Sequence, residues 1–164
     1  MIQEYTSAKT SVNTLARGFR IMEHQPLTVN LDLGGGRFSQ GTEFLAFYGI
    51  TNLVLDPYNR DSDHNGAILK KLWTRPADTG TCFNVLNVIK EPEIRREVLE
   101  TLKCMVKPGG LIYIQCYKGN GYGHGTVTKR GWQAHKPLEA YFGEVRAVFK
   151  NFGVRKNIIE VINT

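Results

Sequence analysis

The sequence predicts an α/β protein, a three-layer sandwich around a mainly parallel sheet, and three observations carry that prediction. Short apolar runs alternate with segments of helical periodicity along the chain, the pattern of strands joined by crossover helices. Residues 29–38 read VNLDLGGGRF, an apolar run that ends in an acid and enters three glycines, as a buried strand does when it turns tightly into a helix. A second apolar run, residues 52–55, ends in Asp56 about twenty residues later. The 164 residues are 41% hydrophobic and 22% charged, enough apolar material for a single domain, residues 1–164, with a substantial core.

A polar segment to about residue 10 leads into a helix over residues 11–22, where Val12, Leu15, Phe19 and Met22 recur at helical spacing. A strand over 28–33 runs into the glycine turn, and a helix over 39–48 follows, stopped by Gly49. Residues 52–55 form the second strand. A short helix spans 61–71, and Pro76 bars its continuation. Residues 79–84 are the third strand. Residues 91–105 (EPEIRREVLETLKCM) are the clearest helix, with Pro92 in its first turn and Ile94, Val98, Leu99 and Leu102 on one face. The sequence KPGG at 107–110 breaks it, and residues 111–117 form a strong strand. A glycine-rich loop occupies 118–135, a helix runs over 138–149, and residues 154–162 close the chain as one strand.

Parallel sheets bind ligands beyond the carboxyl ends of their strands, near the point where strand order reverses. That rule brings the glycine turn, Asp56, Asn84 and Tyr117 to one rim. The turn lets backbone N–H groups approach a ligand closely. Asp56 stands where a nucleotide ribose would lie. These residues suit an adenosine-containing cofactor.

The segments LDLGGG, LVLDPYN, CFNVLNVI and LKCMVKPGGLIYI, in that order, resemble the class I S-adenosylmethionine-dependent methyltransferases over roughly residues 28–117. The resemblance implies a minimal Rossmann-like fold, methyltransferase activity and S-adenosyl-L-methionine as cofactor. It implies that Asp32 orients the methionine amino group and that Gly34, Gly35 and Gly36 form the cofactor loop. Asp56, with Pro57 and Tyr58 beside it, would hold the ribose hydroxyls, and Asn84, Val85 and Leu86 would line the methionine end. Two departures stand out. Phe38 occupies the position of the family's third glycine. Only about 22 residues separate Asp56 from Asp78, too few for a helix, a strand and another helix, so the family's third strand is expected to be shortened or missing. Asp78 is then either a substitute for that strand's adenine-binding acid or the beginning of the next strand. Asp56-Pro57-Tyr58 also resembles the DPPY signature of amino-methylating DNA methyltransferases, but it lacks the second proline and ends the wrong strand. A nicotinamide dinucleotide fits less well, because Ser39 replaces the third glycine of GxGxxG.

The loop at 118–135 should overhang the methyl-donor end of the cofactor. Tyr117, Tyr122, His124, Trp132 and Gln133, with Asn84, are the candidates for an acceptor pocket and catalysis; the plainer reading is a surface loop anchored by Trp132. Residues 5–13 (YTSAKTSVN) are rich in Ser and Thr, and the N-terminal segment, residues 1–27, is expected to fold over the cofactor. The acceptor stays open between a small molecule, a nucleic acid and a protein, with a partner subunit as a further source of specificity. Two alternatives stand beside transfer: a module that binds S-adenosylmethionine without transferring its methyl, and an enzyme that degrades it. The net charge of +6 is compatible with nucleic acid, yet the Lys and Arg residues read as spread along the chain and no nucleic-acid motif is present. Cys82, Cys104 and Cys116 lack paired spacing and read as buried thiols, and His24 and His64 read as surface residues with no metal-ligand spacing. No apolar stretch approaches the roughly 20 residues that span a bilayer and no signal-peptide core is visible, so a cytoplasmic protein is expected.

Overall fold

The computed structural model describes residues 2–121 and 123–164; Tyr122 lies outside the described residues. In chain order the elements are β1 (Val29–Leu33), α1 (Gln40–Phe47), β2 (Thr51–Leu55), α2 (Ser62–Thr74), β3 (Ala77–Phe83), α3 (Pro92–Met105), β4 (Val106–Gln115), β5 (Gly125–Thr128), β6 (Gly131–Ala134), α4 (Phe142–Val148), β7 (Gly153–Arg155) and β8 (Ile158–Ile162). Six strands form one sheet in the order β2-β1-β3-β4-β8-β7, and β5 and β6 pair as a separate hairpin. The first four are mutually parallel, β8 runs antiparallel to β4, and β7 runs antiparallel to β8 at the far edge.

The order follows from the connections. The chain leaves β1 for β2 through α1, then returns past β1 to β3 through α2. Right-handed crossovers in opposite directions put α1 on one face and α2 and α3 on the other. Strand order therefore reverses between β1 and β3, which fixes the ligand crevice there. Helix α2 leads straight from β2 to β3, so β2 is the edge and no strand lies beyond it among the described residues. The missing third strand inferred from the Asp56 to Asp78 spacing is thus a property of the sheet.

Alternation along the strands divides the core in two. Leu31, Leu33, Leu55, Cys82, Ile112 and Ile114 join the apolar faces of α2, α3 and α4 in the larger cluster. On the opposite face Phe83 and Tyr113 pack with Phe19, Met22, Leu45, Ile50 and Ile158. That second face also carries polar side chains. The fully buried Asn30 Nδ2 donates to Asn52 Oδ1 (2.8 Å) and Thr81 Oγ1 (3.0 Å), and Thr79 Oγ1 donates to Asn30 Oδ1 (2.9 Å). A ladder of satisfied polar groups therefore crosses β2, β1 and β3 and ends at Asp32.

Several sequence expectations are corrected. The helix over 11–22 does not form; only Arg17–Arg20 makes a 3-10 turn. Gly18 abuts the Phe83 ring with no room for a Cβ, and its N–H donates to Gln115 Oε1 (2.7 Å). Upstream, hydroxyls compete for the backbone, as Thr10 Oγ1 does with Ser7 O (2.7 Å). The loop at 118–135 contains the β5–β6 hairpin, in which the Trp132 ring covers Gly125 so closely that only glycine fits. The last strand is two strands, because Lys156 and Asn157 both take positive φ (50° and 63°) and make a two-residue turn without glycine. The KPGG sequence bulges within β4 rather than preceding it. Asp78 sits at the amino edge of the sheet, where its carboxylate accepts from Val29 N (2.8 Å) and Lys107 Nζ (2.7 Å), far from any adenine-binding position. Lys107 and the Val29 N–H hold that carboxyl below its usual range, although desolvation opposes them. Cys104 is exposed on α3, whereas Cys82 and Cys116 are buried. Half-buried His24 and His64 bond the carbonyls of Phe19 (2.7 Å) and Val54 (2.9 Å).

Candidate functional site

A cleft enclosing about 1000 Å³ of empty space, open water included, lies at the carboxyl ends of β1, β2 and β3. One wall is the glycine turn. Gly34 and Gly36 have φ of +74° and +75°, a region that costs other residues roughly 1–2 kcal/mol. The turn is pinned from several sides. Gly34 N donates to Leu55 O (2.8 Å), Gly36 N to Asp56 Oδ2 (2.9 Å), and Arg60 Nε to Gly36 O (3.0 Å). The Gly35 N–H takes no partner among the described residues, which leaves it for a ligand.

Asp32 lines the cleft at the foot of the turn. Its carboxylate is 4% exposed and accepts from Thr81 Oγ1 (2.9 Å) and Asn52 Nδ2 (3.3 Å). Desolvation pushes its pKa up to about 6; the Asp56 charge adds to the rise, and the two hydrogen bonds oppose it. A buried carboxylate that wants a positive partner thus faces the cleft.

Asp56 caps β2. Oδ1 accepts from the N–H groups of Tyr58 (2.9 Å) and Asn59 (3.0 Å), Oδ2 from Gly36 N, and the Asn59 amide spans both oxygens (3.2 and 3.1 Å). Four donors fill the roughly four lone-pair sites of a carboxylate. The peptide of Asp56 is clamped as well: Asn65 Oδ1 accepts from its N–H and Asn65 Nδ2 donates to its C=O, each at 3.0 Å. Asp56 therefore organises the rim; a ribose hydroxyl would reach it by displacing the Asn59 amide. Pro57, Tyr58 and Asn59 line the cleft beside it.

Asn84 lines the third side in a left-handed conformation (φ +61°). Its N–H donates to Gln115 O (2.7 Å), and Gln115 Nε2 donates to its Oδ1 (3.1 Å). Gln115 also holds Gly18, which ties Asn84 to the N-terminal segment. Strained residues of this kind persist where the surroundings over-determine them. Val85 lines the cleft and packs on Gly34, whereas Leu86 is fully buried in the core. Phe38 lines the cleft rather than entering the core.

The roof is the N-terminal segment: Gln3, Ser7, Thr10, Ser11, Thr14 and Leu15 all border the cleft. Ser11 Oγ accepts from Arg37 N (3.3 Å). Gln3 is 8% exposed, and its Oε1 is buried without a hydrogen-bond partner. An orphaned acceptor of this kind costs about 1–3 kcal/mol unless a ligand donor meets it. Gln3, Asn59 and Gln115 carried no motif in the sequence; only the Ser/Thr richness around residues 5–13 hinted at the roof.

Tyr117, His124, Trp132 and Gln133 do not line this cleft. Trp132 is 9% exposed and anchors the hairpin, His124 is exposed, and Tyr117 is 57% exposed beside a second groove. Strand β6 does pack on the 3-10 turn Leu86–Val88 that follows Val85. Among the described residues no group of three His, Cys, Asp or Glu could hold a metal ion, and no helix is long and apolar enough to cross a membrane.

A parallel sheet whose order reverses between β1 and β3, with a glycine turn at that point and acids at the carboxyl ends of β1 and β2, has the fold of the class I S-adenosylmethionine-dependent methyltransferases. Solved structures of that class superpose on the chain. The 1,6-didemethyltoxoflavin-N1-methyltransferase of Burkholderia thailandensis, solved with S-adenosylhomocysteine bound, matches 85% of this chain and 72% of its own at 17% identity and a TM-score of 0.61. Human N-acetylserotonin methyltransferase, solved with S-adenosylmethionine, matches 90% of this chain and 51% of its own at 16% identity and a TM-score of 0.60. A methyltransferase from Aquifex aeolicus matches 90% and 88% at 16% identity and a TM-score of 0.57. The chain therefore spans about half the length of some of these proteins. No protein-family model matches the chain, and no curated protein matches it in sequence.

Proposed function

We propose that this domain binds S-adenosyl-L-methionine in the cleft and transfers its methyl group to a nucleophilic acceptor. The observation that carries the reading is the buried Asp32 carboxylate on the cleft wall, with the orphaned Gln3 Oε1 on the roof. The carboxylate calls for a cationic partner and the amide oxygen for a hydrogen-bond donor, and the ammonium of a methionine moiety supplies both. The pyrophosphate of a nicotinamide dinucleotide would meet the same carboxylate as a like charge. S-adenosylmethionine, when bound, supplies a methyl activated by a positive sulfur. The chain's own work is then alignment and exclusion of water. Asp32 and Gln3 hold the amino-acid end, the free Gly35 N–H meets the cofactor at the turn, and Asp56 keeps Gly36, Tyr58 and Asn59 in position around the adenosine. The apolar Phe38, Val85 and Ile89 keep the cleft dry.

A second reading, binding without transfer, has one observation in its favour. Among the described residues, the side chains suited to proton transfer in the glycine-rich loop stand outside the cleft, which favours an acceptor already nucleophilic at neutral pH. Calorimetric titration with S-adenosylmethionine, S-adenosylhomocysteine and NAD tests the cofactor. Micromolar binding of the two adenosyl compounds and none of NAD is expected; binding of NAD alone would sink the reading. Recovery of S-adenosylhomocysteine after incubation with candidate acceptors separates transfer from binding alone.

A further inference from the structure

The positive charge of this chain is not dispersed. Residues 5–22 contain Lys9, Arg17 and Arg20 and no acid; residues 116–138 contain Lys118, Lys129, Arg130 and Lys136 and no acid. Of 21 Lys and Arg and 15 Asp and Glu, the remaining chain thus holds fourteen cations against fifteen acids. The whole net charge of +6 resides in two segments with seven cations between them.

The fold brings these segments together. At the tip of the β5–β6 hairpin, a Cβ on Gly131 would lie 2.8 Å from Thr6 O and 3.8 Å from Thr10 Cγ2. The turn that carries Lys129 and Arg130 therefore lies against the segment that carries Lys9. At the other end Arg17, Tyr117, Lys118 and Lys156 line a groove of about 550 Å³ of empty space, open water included. Among the described residues Arg17, Lys118 and Lys156 have no carboxylate partner, and none of the five ion-paired cations (Lys90, Arg95, Arg96, Lys107 and Arg155) lies in either segment. The Tyr117 ring is 57% exposed and is steadied edge-on by His135 at 5.7 Å. Gln115, which borders this groove, is the residue that fixes Asn84 on the wall of the cofactor cleft.

We infer that this face binds a single-stranded nucleic acid, its phosphates along the two basic segments and an unpaired base against Tyr117. Unpaired cations in a groove match a phosphate backbone, and an exposed aromatic ring beside them matches a stacked base. A duplex would offer the phosphates but keep its bases from the ring. The inference uses the methyl-transfer reading only for what happens to the strand once bound; binding itself needs no cofactor.

The test is fluorescence anisotropy of the full chain with a labelled single-stranded oligonucleotide over a salt series, with and without S-adenosylmethionine. Five to six neutralised phosphates predict a log–log salt slope of about −4. The charge reversals Lys129→Glu with Arg130→Glu, and Arg17→Glu with Lys118→Glu, should each weaken binding about tenfold or more. Lys70→Glu with Lys71→Glu on α2 makes the same change in net charge away from this face and should leave affinity within about twofold. Tyr117→Ala should weaken the single strand and leave a duplex unaffected. Equal losses in all three charge-reversed variants, absence of salt dependence, or displacement by a mononucleotide at equal phosphate concentration would each overturn the inference, the last in favour of a small phosphate-bearing acceptor. Oligonucleotide binding without S-adenosylmethionine binding would sink the methyl-transfer reading alone, and the converse would sink this inference alone.

Discussion

Replacing Asp32 with Asn should make the ligand-free protein more stable and the cofactor-bound state weaker. Desolvation raises the Asp32 pKa from 3.8 to about 6. That difference corresponds to about 3 kcal/mol spent on keeping a buried charge at pH 7. An amide removes the charge but sets its NH2 against a donor, Asn52 Nδ2, because Thr81 claims the oxygen; losing that bond costs about 1 kcal/mol. A net gain of about 2 kcal/mol is expected by urea unfolding at pH 7. The pH dependence gives a second reading of the same quantity. An acid whose folded pKa is raised binds its proton more tightly in the native state, so its contribution to stability grows as pH falls through 6 and levels off below 3.8. Between pH 7 and pH 5 the wild type should gain about 1 kcal/mol, and the variant should not. Asp78, whose pKa is lowered, loses its contribution only below 3.8 and leaves this window clear. If binding needs the ionised carboxylate, S-adenosylmethionine affinity should fall about tenfold over the same interval. A variant less stable than wild type at pH 7, or a wild type that loses stability from pH 7 to pH 5, would refute the assignment of the cost to Asp32.

Three further substitutions test the site. Asp56→Ala strips the acceptor from the N–H groups of Gly36, Tyr58 and Asn59 and should cost about 3 kcal/mol, seen as a fall of about 10 °C in Tm; an unchanged Tm would remove Asp56 from its organising role. Gly36→Ala combines a φ of +75° with a Cβ placed 2.4 Å from Ser11 Oγ. It should cost about 2 kcal/mol in thermal unfolding and less in a Ser11→Ala background, where the closest contact is removed and the backbone strain is left. Gln3→Leu removes the orphaned carbonyl and should leave the ligand-free protein as stable or about 1 kcal/mol more so, while weakening S-adenosylmethionine binding in calorimetry; destabilisation would mean that Gln3 serves the fold.

The parts of the fold that were legible are those written in local periodicity. The run VNLDLGGG and the 91–105 helix each depend on a pattern a few residues long, and both stand where they were read. The missing strand was legible because a helix and a strand have fixed lengths per residue, and the interval before Asp78 is too short for both. The helical spacing of the N-terminal segment is real, but tertiary contacts override it: Gly18 must lie flat on Phe83 and give its N–H to Gln115, a residue 97 positions away. The turn at Lys156 and Asn157 leaves no glycine signal in the sequence, because both residues take positive φ without being glycine. The site divided in the same way. Asp32, the glycines and Asp56 follow from one strand–turn–helix–strand stretch, whereas Gln3 and Gln115 reach the site only through the packing of distant segments. The segregation of charge was in the sequence throughout, but its meaning depended on the hairpin folding back onto residues 6–10.

Loss of the third strand changes how the rim must be built. With β2 at the edge, no neighbouring strand supports the far side of the cleft, and an unsupported loop there would carry unsatisfied backbone groups. The chain substitutes side chains for the strand. Asn65 bonds the N–H and C=O of Asp56 as a neighbouring strand would, and His64 takes the carbonyl of Val54 one pleat earlier. Asp61 accepts from His64 N (2.7 Å) and caps α2, which fixes the helix that delivers both residues. The carboxylate of Asp56 then turns inward to gather the Pro57, Tyr58 and Asn59 turn and the glycine loop. The carboxyl end of a five-residue edge strand, paired along its length with β1, is thereby fixed by one helical turn, without a further strand beside it among the described residues. The rim is organised through a single carboxylate, so its integrity and any grip on adenosine should fail together, which is why stability and binding must be measured on the same variants.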